Sequence, residues 1–547
     1  MLLIALLATA SVFPYLVGPT RLVLPDAYHY ADLGRQVARG EGFTSLITYP
    51  YVIAWMHDAG ISVAPPWPNV ARFPLIALVY APFFLVLGAS DWTVALLGVL
   101  FHVLAACTTF LLGARLFNVR VGIVAASIFA INVSDVANAS AGLLDLPAGL
   151  CLLVATVLLD SILDAGRDGA SARARPLVLG GLLGLSFLLR YDLVVMAVAG
   201  VLVLAVGRGG AGRRQAVWML LGAAVAPGLW MLHNLYAAGS PFLFLGFDRN
   251  VLRNAGAADP YADVAYRNVW TVLRDHPEIL AAKVPQLLWP FVNLHQLFGW
   301  GFAWLGPAFL AATVVLCLGK HRAARPATFV LVVFVLRAVI LGLTHHERRF
   351  YDSYVPLLLV YVVGVAWMLV AAACARRPRL ETGLAAVLVA SYLAFQALLV
   401  SQAAGRSAHG VGGIPGSFHP VRLISPLLER LRLPDAKRQE AYRAIRRRTP
   451  VRTVFATFKP EPVAWYGERP AIALDAASLT AVEGLGLRID GLVYPTRMSG
   501  AVERSLRRQG VHGEFVKTLI DGDLTVWLRQ PLIARWREPE RERPGPE

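Results

Sequence analysis

A polytopic α-helical membrane protein carrying a small soluble α/β domain at its C-terminal end is the fold class the sequence predicts, and three observations predict it. The 547 residues are 57% hydrophobic with a mean hydropathy of +0.57, well outside the soluble range and incompatible with disorder or a fibrous repeat. Apolar runs near the length of about 20 residues that spans a bilayer recur from the first residues to Gln402. After a Gly-, His- and Pro-rich stretch, "GRSAHGVGGIPGSFHP", strand-like and amphipathic segments alternate instead.

The membrane elements follow in order. "MLLIALLATASVFPYLVG" has no basic flank and stays apolar past its small residues to Gly18, so it reads as an uncleaved first span rather than a signal peptide. Further spans are expected near 92-113, 119-134, 144-163, 176-190, 192-207, 216-235, 301-318, 327-343, 355-373 and 382-402. The segment 72-88 is short and broken by Pro82, and reads as interfacial or half-inserted. The segment 279-299, with Lys283, Pro285, Pro290 and Asn293, makes a poor span. If neither crosses, the basic loops around Arg115 and Arg120, Arg173 and Arg175, Arg213 and Arg214, Arg322 and Arg325, and Arg376 and Arg377 all fall on the cytoplasmic side, as the positive-inside rule requires. That leaves about 11 spans, N-terminus in and C-terminus out. The net charge of +16 is therefore topological, and gives no reason to invoke nucleic acid. Cys107, Cys151, Cys317 and Cys374 all lie in apolar segments and read as core residues, not a disulfide or metal set.

The resulting organisation is a transmembrane domain over 1-402 with a long first external loop at 20-91, a linker at 403-420, and an external α/β domain over 421-547. In the last, "PVRTVFATF", "GLVYP" and "DLTVWLRQ" read as strands, and "PDAKRQEAYRAIRRRT" and "SGAVERSLRRQG" as helices. Its basic "RAIRRR" is a solvated helix face that could also meet anionic membrane lipids.

This topology gathers four segments on the external face: loop 20-91, the loop "DVANASAGLLD", a loop near 236-300 and "THHERRFYDSY", joined by the "RYD" turn. Ionisable residues at membrane depth are costly and suggest function. Here they are Asp26, Asp32, Arg72, Asp135, Asp145, Arg190, Asp192, His233 and the cluster His345 to Arg349 with Asp352. Each has a bland alternative. Asp26 opens a predicted helix 26-39 and could cap it; Asp145, before Pro147, could cap the next span. Asp32 is expected to face solvent and pair with Arg35 or Arg39. Arg190 and Asp192 could pair with each other, and "HHE" lacks the spacing of a zinc-protease motif. Convergence on one face weighs against all of these together. The set suits displacement at a sugar anomeric carbon with phosphate leaving: a carboxylate takes the acceptor proton, and arginines neutralise the departing phosphate. A divalent metal ion between the carboxylates is the alternative for that second task.

These residues carry a family resemblance. "PDAYHYADLGRQVARGEGF", after a first span, resembles the opening of the GT-C superfamily of membrane glycosyltransferases, nearest to the protein O-mannosyltransferase and lipid A aminoarabinose transferase group. "RFPLIALVYAPFFLVLG", "LLGARLFNVRVGIVAASIFAIN", "SAGLLDLPAGLCLLVATVLL", "LGGLLGLSFLLRYDLVVM", "LWMLHNLYAAGSPF" and "ERRFYDSYVPLLLVY" are similar, in order, to later motifs of that group. The resemblance implies an inverting transferase that takes a sugar from a polyprenyl-phosphate donor to a glycan, lipid or protein acceptor, at the outer face of a bacterial inner membrane. It places Asp26 and Asp145 as catalytic carboxylates and Arg190 and Arg349 at the donor phosphate. His346, Glu347, Arg348, Arg72 and His233 are further candidates for substrate binding. The chain departs from the pattern at Ala27, Arg72, Phe73, His233 and Phe350. Two rivals belong to other classes: a secondary transporter of an anionic solute, against which stands the lack of an inverted repeat, and a catalytically inactive envelope scaffold.

Overall fold

The computed structural model describes residues 1–17, 22, 25–140, 142–164, 171–207, 209–243, 245, 251, 269–294, 305–319, 321–345, 347–373, 383, 436–521 and 524–537. The expected span 382-402, apart from residue 383, and the linker 403-420 lie outside these residues, as does Cys374.

The membrane part is a bundle of helices. α1 (Leu2–Val17), α2 (Pro25–Ala38), α3 (Pro50–Asp58), α4 (Leu75–Leu87), α5 (Asp91–Leu116), α6 (Val119–Ala130), α7 (Val133–Ser140), α8 (Asp145–Asp164), α9 (Ser171–Leu189), α10 (Val195–Gly207) and α11 (Gly209–Ala238) make up its first half. α12 (Val269–Asp275), α13 (Glu278–Val292), α14 (Leu305–Leu318), α15 (Ala324–Leu343) and α16 (Val355–Ala373) follow. Among the described residues, five helices are long and apolar enough to cross a membrane: 91–116, 145–164, 210–238, 324–343 and 349–373. Five shorter apolar helices accompany them.

Local chemistry sets the helix ends. Ser90 accepts from the Thr93 amide to start α5, and Asn118 accepts from the Val121 amide to start α6. Close backbone approach sets two of the crossings. A Cβ on Gly98 would fall 1.8 Å from the Ala139 carbonyl oxygen, and one on Gly180 would fall 1.9 Å from that of Met219, so glycine alone lets α7 lie on α5 and α11 on α9. The first of these contacts explains why "DVANAS", expected as loop, is helical: packing onto α5 outweighs its weak periodicity.

The C-terminal part is α/β. β4 (Phe455–Thr457), β5 (Ala471–Ala473), β6 (Gly491–Pro495), β7 (Phe515–Asp521) and β8 (Leu524–Arg529) form its sheet. Its helices include α17 (Ala436–Arg448), α18 (Pro460–Gly467), α19 (Leu479–Gly484), α20 (Ser499–Arg508) and α21 (Gln530–Arg537). The first loop adds to this sheet. Its own β1 (Thr44–Ser45) and β3 (Trp67–Pro68) pair with each other, while β2 (Ile47–Thr48) joins the edge of the C-terminal sheet in the order β2-β5-β4-β6-β8-β7. β2 runs parallel to β5, with Ile47 opposite Ala471. Behind that sheet one apolar core takes Trp55 and Trp67 from the first loop together with Leu492 and Trp527 from the C-terminal strands.

The two parts are also bolted together at α18. The Arg35 guanidinium donates to the carbonyls of Ala464 and Trp465 at 2.7 and 2.8 Å, which are last-turn acceptors of that helix, and lies 4.7 Å over the Trp465 ring. Trp465 Nε1 and the Tyr466 hydroxyl donate to the two oxygens of Asp91 at 2.5 and 2.6 Å, in the first turn of α5. Asp32, expected to face solvent, is instead fully buried. It pairs with Arg35 at 2.7 Å and accepts from Ser45 Oγ and the Leu46 amide. α18 covers the face of α2 that the sequence alone leaves open.

Candidate active site

A cleft of about 810 Å³ opens where α2, the segment before α4, the start of α8, the end of α9 and the turn before α16 meet. Each of its charged residues stands at a helix terminus or in a turn. Asp26 lies in the first turn of α2, and Asp145 is the first residue of α8. Arg190 is extended between α9 and the turn Tyr191–Val194. Arg349 is on the turn Arg348–Tyr354. Such ends leave backbone groups unpaired within the helix and project side chains past the apolar layer.

Asp26 is held from two sides. Arg72 Nη2 lies 2.8 Å from one carboxylate oxygen, and Arg349 Nη2 donates to the other at 2.6 Å. Deeper in, Arg190 donates to Asp145 at 3.1 Å and to Asp192 at 3.0 Å. Its guanidinium lies 4.0 Å from the Phe350 ring, which Arg349 also approaches at 5.3 Å. Three arginines and three acids from five segments therefore share one cleft. Its walls are aromatic: Tyr30, Phe73, Tyr191, Trp230 and Phe350.

Burial grades the set. The Asp26 side chain keeps 27% of its exposure and Arg349 26%, whereas Asp145 keeps 2%. Asp26 and Arg349 thus face the opening, and Asp145 the floor. Glu347 braces Arg349 from outside, accepting from its Nε at 2.5 Å and lying 2.7 Å from His345 Nε2. Burial alone would raise the Glu347 carboxyl, but the His345 hydrogen bond and the Arg349 charge outweigh it and hold the group down at about 2.

Of the remaining candidates, Arg72 lines the cleft and His233 does not. His233 stacks on Trp230 with ring centroids 4.9 Å apart, and Trp230 presents its own face to the cavity. His346 and the side chain of Arg348 lie outside the described residues. Ala27 is fully buried, and a Cβ on Gly142 would lie 3.6 Å from the Ala27 Cβ.

The structure adds a residue that the sequence reading passed over. Arg337 is fully buried in the middle of α15; its Nε donates to Asp192 at 2.6 Å and its Nη1 to Ser353 Oγ at 2.5 Å. It fixes the acid that fixes Arg190, and ties the turn carrying Arg349 to the bundle. Its signal was present as the one charge inside "FVLVVFVLRAVILGL".

Among the described residues, no group of three or more His, Cys, Asp or Glu is placed to hold a metal ion. The three cleft carboxylates, Asp26, Asp145 and Asp192, each pair with guanidinium groups. The donor set therefore does not fit a bridging divalent ion, and the positive charge of the cleft comes from its arginines.

Known proteins were compared at the level of sequence and of fold. The family described as dolichyl-phosphate-mannose-protein mannosyltransferase matches residues 68–233. No curated protein sequence matches the chain. The crystal structure of ArnT from Cupriavidus metallidurans bound to undecaprenyl phosphate superposes with a TM-score of 0.58 at 14% identity, covering 98% of this chain and 99% of that one. The Archaeoglobus fulgidus oligosaccharyltransferase in complex with Zn and sulfate gives 0.55 at 14% identity, over 94% of this chain and 70% of its own. AglB from the same organism, in complex with an inhibitory peptide and a dolichol-phosphate, gives 0.51 at 13% identity over 94% and 72%. The likeness is one of fold: over nearly its whole length this chain is similar in structure to these membrane proteins, and the family model matches a segment within the shared region.

Proposed function

We propose that this protein moves a sugar, with inversion, from a polyprenyl-phosphate donor to a hydroxyl-bearing acceptor at the outer face of a bacterial inner membrane. The observation that carries the reading is Asp26, half-open to the cleft and gripped by two arginines that can leave it for a phosphate. As the donor enters, Arg349 and Arg72 turn toward its phosphate oxygens, and an Asp26 oxygen becomes available to the acceptor hydroxyl. The acceptor oxygen then attacks the anomeric carbon while its proton passes to Asp26. The bond from that carbon to the phosphate oxygen breaks, and the electron pair leaves with the polyprenyl phosphate, whose charge Arg349, Arg72 and Arg190 neutralise. Asp145 and Asp192 keep Arg190 in place.

A lipid path supports the same reading. α11 presents Trp230 to the cleft, and Leu229, Leu232 and Leu235 on its flank line a shallow apolar groove. A polyprenyl tail lying there would bring its phosphate to the arginines. The eleven-span arrangement, with the N-terminus inside, puts the cleft and the α/β domain outside, where the acceptor is a glycan, lipid or protein.

The test is transfer by the purified protein in nanodiscs, offered a panel of radiolabelled polyprenyl-phosphate sugars, with Asp26→Asn beside the wild type. Loss of transfer by a factor on the order of 10² to 10⁴ is expected for the variant. Turnover that survives Asp26→Asn overturns the mechanism, and solute flux in proteoliposomes without sugar transfer overturns the reading in favour of a transporter.

A further inference from the structure

α17 carries the basic sequence "AKRQEAYRAIRRR", for which the transfer reading has no use. Ala441, Ala444 and Ile445 are buried, and Ala441 and Ile445 join the core of the C-terminal sheet. A second stripe at helical spacing faces the end of α18. There Gln439 Nε2 donates to the Tyr466 hydroxyl at 3.4 Å, Tyr442 stacks on Tyr466 with ring centroids 6.5 Å apart, and Arg446 lies 3.0 Å from Glu468. Arg443 and Arg447, with Glu440, are left turned outward. The end of α18 is also where the C-terminal domain meets the rim of the bundle. Trp465 and Tyr466 hold Asp91, the first residue of α5, a helix long and apolar enough to cross a membrane. Trp465 packs on Phe84 of α4 as well, with ring centroids 6.1 Å apart. From that point the surface is apolar: Leu85, Val86 and Leu87 end α4 exposed, and Trp92 is exposed at the start of α5. A bare apolar rim with a tryptophan at the end of a span marks the boundary of a bilayer. Next to it, Arg39, Arg443, Arg446 and Arg447, each between 45% and 56% exposed, share only two acids, Glu440 and Glu468.

We propose that this face of α17, together with Arg39, binds the anionic phospholipid headgroups of the leaflet beside Asp91, so that the C-terminal domain rests on the bilayer as well as on the bundle. Four guanidinium groups against two carboxylates leave an excess of positive charge at the surface. A lipid phosphate matches it, because a guanidinium fork takes phosphate oxygens in pairs. The apolar rim sets the height at which those phosphates stand, and basic groups beside such a rim draw anionic lipid. A soluble anionic glycan would meet the same arginines but has no use for the rim. The binding requires no sugar transfer and holds or fails independently of it.

Hydrogen–deuterium exchange of the full-length protein in nanodiscs reads the contact. In phosphatidylglycerol discs the α17 amides exchange about threefold slower, or more, than in phosphatidylcholine discs. Salt at about 1 M, where the screening length is about 3 Å, removes the difference. The triple variant Arg39→Gln, Arg443→Gln, Arg447→Gln exchanges at one rate in both lipids, whereas the matching triple change to lysine keeps most of the protection. Equal exchange of the wild type in the two lipids overturns the proposal, and so does a glutamine variant that keeps the full difference. The lipid comparison on the wild type needs no variant, so it decides even where a variant fails to fold. Dextran sulfate added to phosphatidylcholine discs separates the two polyanions. Protection of α17 by that soluble probe as strong as by phosphatidylglycerol overturns the lipid assignment in favour of a glycan.

Discussion

The two ends of α8 carry the same kinds of residue and do different things. At one end Asp145 meets Arg190, with Asp192 and Arg337 behind. At the other, Asp160 and Asp164 meet Arg115 and Arg322: Arg115 Nε donates to Asp160, and Arg322 Nη2 lies 2.5 Å from Asp164. Fifteen residues separate Asp145 from Asp160, about 22 Å along the helix. The lower cluster ties α5, α8 and the start of α15 together, and its arginines are 35% and 46% exposed. The upper one borders an open cleft, and its arginines lie among aromatic rings. Charge at membrane depth therefore does not by itself mark chemistry. The cluster proposed to act in transfer is the one that lines a cavity and is held by a buried second layer.

That contrast can be broken at several points. The largest effect expected is on folding. Arg337→Met strands Asp192 in the bundle with only Arg190 left, and destabilises the protein by about 3 kcal/mol. Arg115→Ala, whose acids keep Arg322, costs about 1 kcal/mol or less. Thermal unfolding in detergent, read on both variants side by side, checks the difference; equal losses would erase it. The next effect is on transfer. Asp145→Asn loosens Arg190 and slows transfer about a hundredfold, whereas Asp160→Asn leaves the rate within about twofold. A comparable loss in both would mean that the lower cluster belongs to the mechanism.

A gentler change sharpens the comparison. Arg190→Lys keeps the charge but loses the fork that joins Asp145 to Asp192 and the stacking on Phe350. The donor KM should rise roughly tenfold, and titration of the donor in the steady-state assay measures it. The smallest effect concerns pH. Glu347 is held at about 2, below its ordinary 4.5, so the stability it contributes is complete above 4.5 and is lost as pH falls toward 2. Glu347→Gln should melt below the wild type at pH 5 and converge with it near pH 2. A constant gap across that range would assign the brace to shape rather than charge.

Much of this architecture is legible in the chain, and the illegible parts share a cause. The apolar helices follow from hydropathy, and the distribution of arginine among the loops puts Asp26, Asp145, Arg190 and Arg349 on one side of the membrane before any coordinates are known. The structure brings those four side chains to one cleft. What local sequence does not reveal is what a distant segment covers. Asp32 sits on a polar-looking helix face, and becomes buried only because α18 arrives from more than four hundred residues away. Arg337 is conspicuous in its span, but its partner Asp192 is 145 positions earlier. β2 is two residues long and pairs as a strand only because the C-terminal sheet has an edge to offer. His233, a candidate for substrate binding in the sequence, has its ring against Trp230, a contact set by the side-chain packing around α11.

The strand β2 has a consequence for how the molecule is made. Ile47 leaves the ribosome early, while Ala471, opposite it in the sheet, follows some 420 residues later. Through most of synthesis the first loop therefore waits with an unpaired edge, and the Asp26 helix beside it waits without its cover. Pairing of such high contact order is slow to form. The cover over the first loop and α2 is consequently complete only after the C-terminal sheet has closed, so a chain that stalls midway carries the acidic helix without it.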